Sequence, residues 1–172
     1  MKATNWRLHV IALGLLGVLG VAGWSVWSNE RILAEGQVVH LELAPVDPRS
    51  LMQGDYMVLN YAVADALRRM AGAERRADGF AVLRLDAQRV GQLVRTAPTL
   101  AEAAPGEGEV ALRYRVRERR LHVATNAFFF QEGHEPVFRD ARYGEFRVGA
   151  GGEPRLVALL DERLRRLGEN RF

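Results

Sequence analysis

The chain contains no cysteine, which excludes disulfides, thiolate metal sites and cysteine nucleophiles at the outset. An oxidising compartment stays open to it, because a domain of this size can be held by its core alone. Lysine is almost absent too: all but one of the 24 basic residues are Arg, and the exception is Lys2. That removes the general base of serine–lysine hydrolases, since a guanidinium stays protonated and cannot take its place. There is no G-x-S-x-G turn, no P-loop and no dinucleotide glycine fingerprint. Charge is missing from one long run, Leu8 to Trp27, which holds no formally charged side chain.

What is present fits one domain with an appendage. The 172 residues are too few for two ordinary domains, and the 48% apolar content is that of a globular chain. The formal charge of +3 sets 24 basic against 21 acidic residues. Acids are interleaved with the arginines, as Glu118 is within Arg115–Arg120. This predicts a solvated, salt-bridged surface and no nucleic-acid partner.

The uncharged run reads LHVIALGLLGVLGVAGWSVW. Twenty residues in a helix span about 30 Å, the thickness of a bilayer's hydrocarbon core. Trp6 lies at one end, with Trp24 and Trp27 at the other, where indoles favour the headgroup boundary. Lys2 and Arg7 precede the run, and Glu30, Arg31 and Glu35 follow it. The positive-inside rule therefore predicts a cytoplasmic N-terminus and an exported C-terminal domain. A cleaved signal peptide fits less well, because the run is long and no Ala-x-Ala site follows it. Gly14, Gly17, Gly20 and Gly23 spiral around such a helix and do not form the four-residue pattern of a dimer face.

The predicted organisation is a cytoplasmic tip and transmembrane helix over 1–27, a linker over 28–35 and an exported β-rich domain over 36–172. Val39, Leu41 and Leu43 alternate with His40 and Glu42, and Met57, Leu59 and Tyr61 again recur at every second position. Tyr61–Ala73 switches to a helical period, with Val63, Ala66, Leu67 and Met70 on one face. Gly79–Asp86 reads as a strand, and Val110–Val116 alternates with Arg113, Arg115 and Arg117. A charged turn at Glu118–Arg120 predicts a hairpin with Leu121–Phe130. Gly144–Val148 and Arg155–Leu160 flank Gly151-Gly152 as a second hairpin. Thr96–Glu109 reads as a surface loop, and Asp161–Leu167 fits strand or helix equally. The fold class expected is α+β: one transmembrane helix, then a mainly antiparallel sheet or partly closed barrel with one or two short helices.

One segment carries a motif: Asp47-Pro48-Arg49 followed by Gly54-Asp55-Tyr56-x-x-Leu59-x-Tyr61, with Phe129-x-x-Glu132-Gly133 later. It resembles the signature of the GDYXXLXY protein family, bacterial membrane-anchored proteins without an agreed activity. The match departs at Gln131, where the family often has proline. The resemblance implies a single-pass protein of the bacterial inner membrane, its domain facing the periplasm, found beside multi-pass membrane proteins. Physically, Gly54 suits a tight turn, Asp55 can accept backbone N–H bonds there, and Leu59 and Tyr61 share an inward face opposite to Tyr56. The alternative is a polar ligand patch of Asp47, Arg49, Asp55 and Tyr56.

Enzymatic readings fail on chemistry. Ser50 ahead of Gly54-Asp55 faintly resembles membrane-anchored signal peptidases, but Lys2 is predicted on the opposite side of the membrane. His40, His122 and His134 are scattered and read as solvated surface side chains. The stretch Glu132-Gly133-His134-Glu135 looks metal-like, yet three loop residues make a poor closed site. Neither cofactor nor metal is expected. The sequence thus predicts a non-enzymatic accessory or interaction module for an integral membrane partner. A periplasmic ligand-binding module comes second and a hydrolase last.

Overall fold

A computed structural model of the chain describes residues 3–44, 52–53, 56–71, 77–118, 120–130 and 135–169. The chain divides into two compact units, Met1–Ala34 and Glu35–Phe172. The first is the greater part of one helix, α1 (Ala3–Glu35), long and apolar enough to cross a membrane. From Trp6 to Trp27 its apolar side chains are exposed around the whole circumference, as in a helix whose surroundings are apolar. Residues 28–35, read from sequence as a linker, continue the helix. Asn29, Glu30, Arg31 and Glu35 bring polarity but neither Pro nor Gly to end it before Gly36. Trp24 and Trp27 pack one turn apart, and the Arg31 guanidinium lies 5.5 Å from the Trp27 ring centre.

Among its described residues the second unit consists of three antiparallel sheets with a main core and a smaller buried cluster of Val82, Ala97, Ala103 and Ala111. One has the order β1 (Gln37–Glu42), β9 (Tyr143–Val148), β10 (Pro154–Leu160), β11 (Arg166–Glu169). A second has β2 (Met52–Gln53), β3 (Tyr56–Val58) and β8 (Ala127–Phe129). The third has the order β5 (Gly91–Ala97), β4 (Gly79–Leu85), β6 (Glu109–Arg117), β7 (Arg120–His122). Among the described residues the strands form no closed barrel. Single bridges join His40 to Val90 and Leu43 to Tyr61, tying β1 to the other two sheets.

The predicted alternations set the faces. Val39 and Leu41 of β1, Leu112 and Tyr114 of β6 and Phe146 of β9 are buried together with Met57, Leu59, Tyr61 and Phe128. Helix α2 (Ala62–Ala71) covers this core with Val63, Ala64 and Leu67, packing against β1, β5 and β7. Met70, expected on that buried face, is 57% exposed, and its neighbours Arg68 and Arg69 in the last turn are exposed too.

Two expectations change, and one left open is decided. The loop expected over 96–109 holds the end of strand β5 (through Ala97) and a short helix, α3 (Leu100–Ala103). The Thr99 side chain caps α3 by accepting from the Glu102 N–H, and Ala103 is fully buried. The hairpin after β6 is short. Of the expected second arm only β7 pairs with β6, while β8 leaves to pair with β3. Asp161–Leu167, which fitted either structure, turns back into β11, antiparallel to β10.

Two tight turns share one device. Asp86 accepts from the backbone N–H groups of Gln88 and Val90, and Asp161 from those of Arg163 and Arg165. The residue three places on, Arg89 or Leu164, takes a left-handed conformation in each case. Backbone N–H bonding, with the Arg165 guanidinium, holds the Asp161 carboxyl below the usual carboxylate range. Arg95, with the Gly106 N–H, does the same for Glu109. A carboxyl with a lowered folded pKa contributes stability that is complete above its unfolded value, about 3.9–4.3, and is lost as pH falls through the folded one. Thermal melts between neutral pH and pH 3 should therefore show stability falling on the acid side of about pH 4. Asp161→Asn, which cannot titrate, should be less stable than the parent at neutral pH and lose less on acidification.

Candidate functional site

The signature can be followed through Tyr56, Leu59 and Tyr61. Asp47, Arg49, Gly54, Asp55, Glu132 and Gly133 lie outside the described residues, as do Ser50 and His134. Of the proposed polar patch, Tyr56 alone is described. It sits on β3 directly opposite Phe129 of β8, their ring centres 6.0 Å apart. The register thus sets the two stretches of the signature on neighbouring strands. Alternation sends the next pair, Met57 and Phe128, into the core and leaves Phe129 outside, 65% exposed.

Leu59 and Tyr61 face inward as expected, and their partners show what they hold. The Leu59 N–H donates to the Asn126 carbonyl at 2.8 Å, and the Tyr61 hydroxyl donates to the Thr125 carbonyl at 2.6 Å. The Tyr61 ring meets Phe146 edge-on, with centres 5.6 Å apart. Burial pushes the Tyr61 phenol far above its ordinary pKa, so it remains a proton donor throughout the physiological range. The Leu59 main chain and the Tyr61 side chain thus pin the 125–126 segment to the core.

That segment borders a groove that the sequence reading missed. The groove has a volume of about 400 Å³ and is open to solvent. Arg113, Arg115 and Arg117 of β6 line it together with His122 of β7 and, around the start of β10, Glu153 and Arg155. Residues two apart on a strand project to one face, so the arginines of β6 form a row with a repeat of about 7 Å. His122 stands opposite Arg115 across the strand pair, and Arg120 opposite Arg117. The turn before β10 comes close to β6, where the Arg113 N–H donates to the Gly152 carbonyl at 2.8 Å. Gly152 has φ +84°, and a Cβ there would lie 3.0 Å from the Ala111 carbonyl oxygen, so this approach requires glycine.

The electrostatics of the groove differ from those of other arginine contacts in the domain. Arg95 is 2.8 Å from the Glu109 carboxylate, Arg165 is 2.6 Å from Asp161, and Arg166 is 2.6 Å from Glu145. Among the described residues that line the groove, the one acidic side chain is Glu153, 3.8 Å from Arg113. Arg115 and Arg117 make no ion pair among the described residues. The expectation of arginines matched by interleaved acids therefore fails at this face, because Glu118 sits in the turn after β6 and not on the strand's arginine face. The signal was present in the sequence as arginines at alternate positions of a strand.

The histidines are separated. His122 is in the groove, whereas His40 is on β1 in another sheet, its Nδ1 2.8 Å from the Gln88 carbonyl oxygen in the Asp86 turn. The Glu132–Glu135 stretch cannot be followed as a metal site, since 131–134 lie outside the described residues.

A family model described as GDYXXLXY protein matches residues 18–159, most of the chain. No curated protein and no solved structure matches it.

Proposed function

The chain belongs to the GDYXXLXY family, and from that premise we propose that it is a non-enzymatic accessory protein of the bacterial envelope. In this reading α1 anchors it in the inner membrane with Lys2 and Arg7 on the cytoplasmic side, and the β domain faces the periplasm. There the domain docks on a multi-pass membrane protein. The observation that carries the docking reading is Phe129, a large aromatic side chain held 65% exposed against Tyr56. Aromatic side chains fixed at the surface anchor protein interfaces, because they bury much apolar area for little loss of side-chain freedom.

Site-directed photocrosslinking in native membranes tests it. A photoreactive residue in place of Phe129 should trap a second integral membrane protein, and one in place of exposed Glu107 should not. Exchanging residues 8–27 for an unrelated transmembrane sequence should weaken the capture. Equal adducts from both positions, or none from Phe129, would overturn the docking reading.

A further inference from the structure

Beyond docking, we propose that the groove between β6 and the start of β10 is an anion-binding site for a phosphorylated headgroup. Four observations converge. Arg113, Arg115 and Arg117 share one face of a single strand, with Glu153 as the one acidic residue among the described residues of the lining. Arg117 faces Arg120 directly across the strand pair, an arrangement of like charges that is unfavourable unless something neutralises it. Arg95, Arg165 and Arg166, by contrast, are matched to carboxylates within the fold. The segment forming one wall is held by the Tyr61 hydroxyl and the Leu59 N–H, so the family signature itself builds the groove.

The chemistry selects the ligand. Guanidinium groups are planar and offer paired N–H donors that fit two oxygens of a phosphate at once, and their charge does not titrate away. A row of them favours a ligand with more than one anionic oxygen over a single carboxylate. The volume of about 400 Å³ accommodates a headgroup-sized molecule. Val123, Pro154 and Leu156 add apolar lining that would cover the ligand's carbon skeleton. The same chemistry is offered by a free phosphorylated metabolite and by a phospholipid headgroup.

The test uses the full chain in nanodiscs of phosphatidylcholine, with two probes: inorganic pyrophosphate, and phosphatidylglycerol included in the disc. Pyrophosphate should bind saturably with a Kd below about 1 mM, read by calorimetry. Arg115→Gln with Arg117→Gln should weaken it by about tenfold or more, the effect of removing charge-assisted hydrogen bonds. Without ligand the same variant should melt no lower than the parent, since it removes like-charge repulsion; a structural role would lower its melting temperature. Arg69→Gln with Arg163→Gln removes equal charge elsewhere and should leave affinity unchanged. If pyrophosphate fails but phosphatidylglycerol raises the melting temperature of the parent and not of the groove variant, the ligand is a lipid headgroup. Absence of both effects, or equal loss in the two double variants, would overturn the site. Phe129 plays no part in it, so failure here and failure of docking are read separately.

Discussion

Tyr61→Ala is expected to destabilise the C-terminal domain by about 3–5 kcal/mol, the range for deleting a buried ring from a packed core. The residue is 4% exposed, lies edge-on to Phe146 and satisfies the Thr125 carbonyl. Because a domain of this size is stable by about 5–15 kcal/mol in total, the loss is a large share. Tyr61→Phe separates the two contributions: it keeps the ring, removes the hydroxyl and should cost about 1–2 kcal/mol. Urea unfolding of the full chain in micelles, followed by far-ultraviolet dichroism of the sheet, measures both. A Tyr61→Ala protein within about 1 kcal/mol of the parent would show that the signature's last residue does not hold the core. The same pair reports on the groove wall, since Tyr61 holds Thr125 in place there.

The second large effect concerns the anchor. Leu15→Arg with Leu16→Arg places two guanidinium groups near the middle of the apolar run. Each arginine at a helix centre costs about 2.5–3.5 kcal/mol of insertion free energy and forgoes about 0.5 kcal/mol from leucine, so the pair should cost about 6–8 kcal/mol. The variant should move from the alkali-resistant membrane fraction to the soluble or degraded one. A reporter that is active only in the periplasm, fused after Phe172, should fall silent with it. Two findings would remove the basis for a spanning anchor: a variant still held by the membrane, or a parent chain recovered without its first two dozen residues.

How far the sequence could be read differs from element to element. The helical run needed no partner to be recognised: its length, lack of charge and terminal indoles are local properties matched to bilayer dimensions. In β1 and β6, apolar side chains recur every second residue, so the buried faces followed from strand geometry. The inward turn of Leu59 and Tyr61 followed in the same way. Less was legible where the signal is weak or shared. Helix α3 is four residues long, too short for a period, although Thr99 and Glu102 form a capping pair that marks its start. Strand β5 is mostly half-exposed at the edge of its sheet, which leaves it little apolar pattern. Asp161–Leu167 fitted two structures, and pairing with β10 makes a strand of the chain from Arg166 onward.

By itself, then, the amino-acid order determined the apolar helix, the faces of the principal strands and the buried positions of the signature, because each depends on a period within a few neighbouring residues. Only the tertiary structure decided which strands meet. β8 pairs with β3 and not with β6, which brings Phe129 against Tyr56. The turn carrying Glu153 and Gly152 comes to rest beside Arg113. Whether a row of arginines is neutralised depends on charges that are distant along the chain and near in space. A pairwise interaction that falls off with distance through the folded molecule cannot be counted along the sequence.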